Sequence, residues 1–318
     1  MEVRLAKENE TKQVQHLWDY CFYEEPQYLQ WVFGSRYKAD HTIVAIETEQ
    51  VIGALQLVPV AMRVRNTVEP CYYIAGVSVF PQNRGKGVAS AMMTFAEQVA
   101  AKRGISLLLL VPALGGYYER FGYVHCTSKE EYEFPISIAA GYRFCGTAQK
   151  TVDAAPLLEI YNKYASKWDV SVARTQRDME QMLQCFQAEP YGGTYLFRLE
   201  NTAVAYLVYR VTPQEMIVPE CAYCNEEGAH AILQFLSSHS MQTKRALLRL
   251  APGDPLFTKL YQTGVRRILT PSFMAKKIGC TPEKTFAYLG VGTGRKMELL
   301  GQPVGNQNSI YINLPQWY

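Results

Sequence analysis

The segment from residue 71 to residue 112 constrains the fold more than any other part of the chain. It begins with the strand-like run CYYIAGVSVF, passes through the glycine-containing turn PQNRGKG, and continues into a helical pattern that ends at Gly104. The run ISLLLLVP that follows is apolar on both faces, as a central strand of a parallel sheet must be. A helix between two such strands forms a βαβ unit, which predicts an α/β fold with a mixed sheet flanked by helices.

The turn at residues 81–87 has the chemistry of an anion-binding site. The backbone N–H groups of residues 83–88 have no partners within the helix, and the helix dipole adds partial positive charge there. Gly85 and Gly87 allow an anion to approach the backbone closely, while Arg84 and Lys86 add positive charge. The turn is therefore predicted to bind a phosphate or a pyrophosphate.

Two common nucleotide-binding motifs fit this turn poorly. A P-loop needs Gly where Phe80 stands, and its Lys is followed by Ser or Thr, whereas Lys86 is followed by Gly87. The dinucleotide-binding pattern G-x-G-x-x-G has Ser90 in place of its third glycine, and it normally opens the first βαβ unit of its domain.

Residues 82–87, QNRGKG, resemble the Q/R-x-x-G-x-G/A signature of the GNAT superfamily of N-acetyltransferases, and the order of strands and helices around them is also similar. In that superfamily the turn binds the pyrophosphate of acetyl-CoA, so the resemblance implies acetyl-CoA as the acyl donor. A glycine-rich turn of another α/β fold is the alternative. The cofactor-binding residues predicted on this basis are Val77, Ser78, Val79, Gln82, Asn83, Arg84, Gly85, Lys86, Gly87, Val88 and Ala89.

A second resemblance lies in GGYYERFGYVHC, residues 115–126. YERFGY is similar to the Y-x-R-F-G-Y segment of the Eis-like (enhanced intracellular survival) acetyltransferases, in which the first tyrosine protonates the departing CoA thiolate. The resemblance implies that Tyr118 is this general acid. In the alternative, Tyr117, Tyr118 and Tyr123 are all wall residues of the site.

Acetyl transfer from a thioester needs a neutral amine, a stabilised oxyanion and a proton for the leaving sulfur. Backbone N–H groups near Ser78 and Val79 are expected to hold the thioester oxygen, and residues 77–79 to pair with the pantetheine arm as an added strand. Direct attack by a primary amine in a ternary complex then needs no covalent enzyme intermediate. The alternative function is a non-catalytic acyl-CoA-binding or sensor protein.

The acceptor site is predicted in YCFYEEPQYLQW, residues 20–31, a region that walls the acceptor in the GNAT fold. Glu24, Glu25 and Trp31 combine carboxylates with an aromatic face, which suits a cationic amine. The acceptor is then a small amine, an aminoglycoside-like polyamine or a lysine side chain. Acidic residues before Pro26 are also ordinary chemistry for a helix N-terminus, which is the alternative.

The order of strands and helices repeats in the second half of the chain. There NEEG, residues 225–228, stands in place of the glycine turn, and Glu226 and Glu227 would repel a pyrophosphate. We therefore predict tandem GNAT-like domains: a catalytic domain at 1–145, a degenerate domain without its own cofactor at 146–278, and a C-terminal extension at 279–318.

The Eis-like arrangement implies further properties. Those relatives have a third, sterol-carrier-like domain, for which the extension 279–318 is a remnant or a substitute, and their C-terminal carboxylate acts as the general base. The resemblance therefore implies a catalytic role for Tyr318, although the extension is equally compatible with a surface flap. Such relatives form trimers or hexamers, which implies a homo-oligomer.

The composition argues against several other classes of protein. The 32 basic and 29 acidic residues are interspersed and give a net charge of +3, so nucleic acid is not an expected partner. ISLLLLVPAL is shorter than the roughly 20 residues that cross a bilayer, and no signal-peptide core precedes it, which predicts a cytoplasmic protein without a membrane partner. The eight cysteines are dispersed, and the pair in CAYC lacks further ligands nearby, so no metal is predicted.

Overall fold

The computed structural model describes residues 1–64, 67–113, 116–187, 191–251, 253–260, 264–282, 284–285 and 310–311. The helices are α1 (Thr11–Phe22), α2 (Pro26–Trp31), α3 (Val88–Lys102), α4 (Ala154–Ala165), α5 (Gln176–Gln187), α6 (Glu226–Ser238) and α7 (Leu256–Leu260). The strands are β1 (Glu2–Leu5), β2 (Thr42–Glu47), β3 (Gln50–Val64), β4 (Thr67–Val79), β5 (Leu107–Leu110), β6 (Val124–His125), β7 (Ser128–Pro135), β8 (Thr147–Lys150), β9 (Val170–Val172), β10 (Gly192–Leu199), β11 (Thr202–Val211), β12 (Met216–Tyr223), β13 (Arg245–Leu250), β14 (Arg266–Pro271), β15 (Met274–Lys277) and β16 (Ile310–Tyr311).

The first sheet has the strand order β1-β2-β3-β4-β5-β15-β6, with β9 and β16 added beside the far end of β3. Strands β4 and β5 pair in parallel, and α3 connects them. The side chains of β5 alternate between two cores: Leu108 and Leu110 pack with α3, whereas Leu107 and Leu109 pack on the opposite face. The predicted βαβ unit and mixed α/β architecture are therefore confirmed.

Helix α3 buries the face that its sequence spacing predicts. Val88, Met92, Ala96 and Val99 are buried against the sheet, because residues three, four and seven apart share one side of a helix. The chain leaves the helix at Gly104, whose positive φ of 71° favours glycine.

The second sheet has the order β14-β7-β13-β12-β11-β10-β8 and repeats the architecture of the first. Strands β12 and β13 pair in parallel over residues 216–218 and 246–248, with α6 as the connecting helix. Helices α4 and α5 precede β10 as α1 and α2 precede β2. The repeated element order inferred from the sequence is thus present in the fold.

The two sheets exchange a strand. Strand β7 follows the first sheet in the chain, yet it pairs with β13 and β14 in the second sheet, and β15 inserts between β5 and β6 in the first. Strand β7 falls within the predicted first domain, residues 1–145, but it belongs to the second sheet. Tyr132 and Phe134 are fully buried in the second core, and on the opposite face of β7 Glu131 and Glu133 pair with Arg249 and Arg245. The buried Glu130 pairs with Arg267.

Candidate active site

Strands β4 and β5 separate in the middle of the first sheet. Their pairing ends at Ile74 and Leu110, whereas β4 continues to Val79 with only β3 beside it. A bulge interrupts β4 at Gly76, whose φ is 61°, and shifts the register against β3 between Ala54 and Gln56. The outer part of β4 therefore has one edge that faces a gap.

The backbone at Val79 points into this gap. The N–H of Phe80 donates to the carbonyl of Ile52 on β3, at 3.1 Å. Because successive backbone groups in a strand alternate in direction, the N–H and C=O of Val79 point the other way. The carbonyl of Val79 accepts a hydrogen bond from Nε of Arg84 at 3.0 Å, which leaves the Val79 N–H as a donor toward the gap.

The glycine turn opens directly onto the outer end of the gap. Gly85 and Gly87 both have positive φ, 76° and 80°, and a Cβ at either would meet only open space. The first hydrogen bond of α3 runs from the N–H of Ala91 to the carbonyl of Gly87, at 3.0 Å. The N–H groups of residues 88–90 consequently have no acceptor within the helix, as an anion site at a helix N-terminus requires.

The side chains of the turn do not all take the predicted direction. Lys86 and Gln82 are exposed, whereas Asn83 is buried. Arg84 folds back onto β4, where its guanidinium bonds to Val79 and lies 4.0 Å from Sγ of Cys21. Its charge is thus close to the strand end as well as to the turn.

Tyr118 packs in the same core as Ile74 and Val79 of β4. It begins the short helical turn at residues 119–121, is only 6% exposed, and its ring contacts those of Tyr117 and Tyr123. Burial, with a smaller contribution from Tyr117, raises the pKa of the Tyr118 phenol. Tyr118 also contributes to the raised pKa of Tyr73 on β4, so the two phenols are neighbours.

Arg120 ties this segment to the helix that begins at the glycine turn. Its guanidinium donates to Oγ of Ser90 at 3.1 Å and lies over the ring of Tyr117, 4.0 Å from its centroid. The contact joins the Tyr118 segment to the first turn of α3. Tyr118 and the glycine turn therefore belong to one connected structure.

Two of the three predicted acceptor residues surround Tyr28. Glu24 is half-buried, burial raises the pKa of its carboxyl, and its charge contributes to the raised pKa of Tyr28. The Trp31 ring packs against Tyr28 at 5.9 Å and under the guanidinium of Arg36 at 6.0 Å. Glu25 is exposed and stands before the first residue of α2, so it does not join this group.

The second half of the chain adds residues that sequence reasoning missed. Arg36 donates to the side chain of Gln181 on α5, and Cys185 of α5 contributes to the raised pKa of Tyr28. Tyr28 also contacts the core of the second sheet. No local pattern links positions so far apart in the chain. The direction of Tyr73 was predictable, because side chains alternate along a strand and Tyr73 therefore points to the face opposite Ile74.

The corresponding turn of the second sheet is capped by a side chain. The side chain of Asn225 accepts a hydrogen bond from the N–H of Gly228 at 2.9 Å, which caps α6, and Glu226 is paired with Lys259. A cap and carboxylates thus stand where the first sheet has free N–H groups.

The space beyond the paired part of β12 and β13 is also bridged. The buried carboxylate of Asp254 accepts hydrogen bonds from the hydroxyls of Tyr164 and Tyr223 and, at 2.7 Å, from the N–H of Leu256. Burial raises the pKa of Asp254. The chain's own side chains therefore fill the counterpart of the gap at Val79.

Two family models match the chain. Residues 2–126 and residues 168–276 each match a model described as an acetyltransferase (GNAT) domain. The chain contains two tandem GNAT acetyltransferase domains. The matched residues include the glycine turn and Tyr118 in the first GNAT domain, and the capped turn in the second.

Solved structures share this fold at low sequence identity. A GCN5-related N-acetyltransferase from Anabaena variabilis has a TM-score of 0.77 at 17% sequence identity. The match covers 87% of this chain and 73% of the Anabaena chain. A probable N-acyltransferase from Enterococcus faecalis has a TM-score of 0.75 at 20% sequence identity. The match covers 89% of this chain and 74% of the Enterococcus chain. Eis1 from Mycobacterium abscessus has a TM-score of 0.68 at 18% sequence identity, and the match covers 88% of this chain and 74% of the Eis1 chain. The predicted likeness to Eis is therefore confirmed in the fold. A comparison with curated proteins gives no match.

Neither a helix that could span a membrane nor a cluster of metal ligands occurs in the described part of the chain. None of its helices combines the length and the apolar character needed to span a bilayer. In the same residues, no three or more His, Cys, Asp or Glu side chains converge as metal ligands would.

We expect one acetyl-CoA to bind per chain, because the turn and gap of the second GNAT domain are capped and filled. Isothermal titration calorimetry measures this stoichiometry directly. A variant with Glu226→Ala and Glu227→Ala is expected to bind no second molecule, since Asp254 still bridges the gap. Two sites of similar affinity in the unaltered chain would contradict the account.

Proposed function

We propose that the first GNAT domain transfers an acetyl group from acetyl-CoA to a primary amine by direct attack in a ternary complex. The observation that carries the proposal is the arrangement of three features around one gap: the uncapped start of α3, the unpaired edge of β4, and the buried phenol of Tyr118. The diphosphate binds the N–H groups at residues 85–89, and the pantetheine arm pairs with residues 77–79.

In the proposed reaction, backbone and side-chain groups of the first GNAT domain act on the thioester. The Val79 N–H stabilises the negative charge that develops on the thioester oxygen as the amine attacks. The carbon–sulfur bond breaks, and the phenol of Tyr118 gives its proton to the leaving CoA thiolate. Burial raises the pKa of Tyr118, so the phenol holds the proton that it donates at physiological pH.

The amine binds on the side of the gap where Glu24, Trp31 and Tyr28 are gathered. A half-buried carboxylate beside aromatic rings attracts a cationic amine, whether it belongs to a small molecule, a polyamine or a lysine side chain. The base that takes the amine proton is proposed to be Tyr318, through its carboxylate. Tyr318 lies outside the described residues. Strand β16, seven residues before it, pairs with β9 in the first sheet.

The alkaline limb of the pH profile tests the state of Tyr118. Its pKa is raised above the ordinary value of about 10, so the proton-donating form is lost only above that pH. With a saturating amine, kcat is expected not to decline between about pH 8 and pH 10. A fall in kcat centred well below pH 10 would contradict a protonated Tyr118 as the acid.

Release of free thiol from acetyl-CoA, followed in the presence of a panel of amines, tests the proposed function. Steady thiol release that depends on the amine, with acetylated amine detected by mass spectrometry, supports an acetyltransferase. Tight binding of acetyl-CoA without turnover for any amine supports the acyl-CoA sensor instead. Absence of both binding and turnover would contradict both functions.

A further inference from the structure

The bulge at Gly76 is covered by the indole ring of Trp18 from α1. A Cβ atom at Gly76 would lie 2.6 Å from Cη2 of Trp18, and closer still to Cζ3. Nonbonded carbon atoms do not approach so closely, because their optimal separation is about 3.5–4.0 Å. The α1 face of the sheet therefore offers no space at this point of β4, even for one methyl group.

The ring of Trp18 is held in place by other aromatic side chains. Phe22 lies 5.3 Å away between ring centroids, and Phe33 meets the indole edge-on at 5.9 Å. Trp18 itself is 7% exposed. A ring packed in this way does not move aside without disturbing its neighbours, because protein interiors are close-packed.

The other boundaries at Gly76 are closed as well. On the α3 face, Leu57, Ile74 and Leu110 belong to a core in which each is at most 3% exposed. Along the strand, β5 rejoins β4 at Ile74, which ends the gap. Space at the inner end of the gap is thus limited on both faces of the sheet and in the direction of the strand.

The direction of the bound donor brings its acyl group to this closed end. The diphosphate lies at the glycine turn, so the pantetheine arm runs inward along the outer part of β4, the thioester oxygen reaches the Val79 N–H, and the acyl group points on toward the bulge. We propose that Trp18 restricts the donor to short acyl groups by closing the space beyond the thioester at Gly76. This inference rests on the proposed function, and it identifies the residue that would set acyl-chain length.

The expected selectivity is large because each added methylene must displace packed atoms. One methylene in a closed apolar pocket commonly changes kcat/KM by about 10–200-fold. We therefore expect kcat/KM to fall by about tenfold or more from acetyl-CoA to propionyl-CoA. Turnover of hexanoyl-CoA is expected to be undetectable.

Acyl-CoA competition with one fixed amine tests the inference. Acetyl-, propionyl- and hexanoyl-CoA are compared in the unaltered chain, in Trp18→Ala and in Trp18→Phe. The ratio of propionyl to acetyl kcat/KM is expected to rise about tenfold or more in Trp18→Ala, and less in Trp18→Phe. Leu17→Ala is the matched control, because Leu17 is also buried on α1 but packs in a core with Val44 and Val51, and its ratio is expected to stay unchanged.

Several outcomes would overturn the inference. Equal use of acetyl- and hexanoyl-CoA by the unaltered chain would do so without any variant, even if Trp18→Ala did not fold. An equal rise of the ratio in Leu17→Ala would assign the effect to a loosened core rather than to Trp18. If no acyl-CoA supports turnover, the proposed function fails first, which distinguishes the two failures.

Discussion

Tyr118→Phe is expected to lower kcat by about 100-fold or more, because positioned acid catalysis commonly contributes 10²–10⁴-fold. The substitution removes the one hydroxyl and keeps the buried ring, so the packing against Tyr117 and Tyr123 should persist. The Kd for acetyl-CoA is expected to change little, since the diphosphate and pantetheine contacts lie elsewhere. Steady-state kinetics together with calorimetry on the same preparation measure both quantities.

Tyr117→Phe is the matched control for this experiment. Tyr117 is the neighbouring tyrosine, and the guanidinium of Arg120 stacks over its ring. The proposed mechanism gives the Tyr117 hydroxyl no role. We expect kcat to stay within about twofold of the unaltered chain. If both variants lose the same activity, or if Tyr118→Phe retains full kcat, Tyr118 is a wall residue of the site.

Gly87→Val is expected to raise the Kd for acetyl-CoA by about tenfold or more, which corresponds to about 1.4 kcal/mol. Gly87 precedes α3 with a φ of 80°, a conformation that is strained for a β-branched residue. The strain is relieved only if the first turn of α3 shifts, and that shift moves the N–H groups that bind the diphosphate. Calorimetric titration of acetyl-CoA measures the effect.

Gly104→Val separates the loss of binding from the loss of stability. Gly104 lies at the other end of α3 with a similar φ of 71°, and a Cβ there also meets open space. Both variants are expected to lose about 1–3 kcal/mol of unfolding free energy, but only Gly87→Val should lose affinity. Equal affinities for acetyl-CoA in both variants would show that the turn does not bind the diphosphate.

Much of the first sheet follows from local sequence patterns. The spacing of apolar residues predicts α3 and its buried face, and four consecutive leucines predict a strand that is buried on both sides. These elements depend on residues close in the chain, so their periodicity is visible without a partner. The position of the glycine turn between a strand and a helix was predictable for the same reason.

The strand exchange was not predictable from the sequence. Strand β7 alternates polar and apolar residues, a pattern that suits a half-buried strand in either sheet, and the choice between the sheets is made by distant partners. Burial of Tyr132 and Phe134 with the second core, and pairing of their polar neighbours with arginines of β13 and β14, decide the outcome. Such contacts between distant strands leave no local signal.

The candidate site was likewise predictable from the sequence only in part. The motif indicates where Gly85 and Gly87 must lie, because only glycine adopts their backbone conformation readily. It does not indicate that Arg84 turns back to Val79, or that Glu25 stays in solvent while Glu24 is half-buried. Arg84 is oriented by contacts with β4 and Cys21, and α2 by packing of Tyr28 and Trp31 on the second core. Both depend on residues distant in the chain, which the sequence alone does not specify.

A crystal structure of the chain with bound CoA tests the central claim most directly. The account predicts diphosphate oxygens within hydrogen-bonding distance of the backbone N–H groups at residues 85–89, and pantetheine amides beside residues 77–79. A diphosphate at residues 225–228, or a gap at Val79 filled by the chain's own atoms while CoA binds elsewhere, would contradict it.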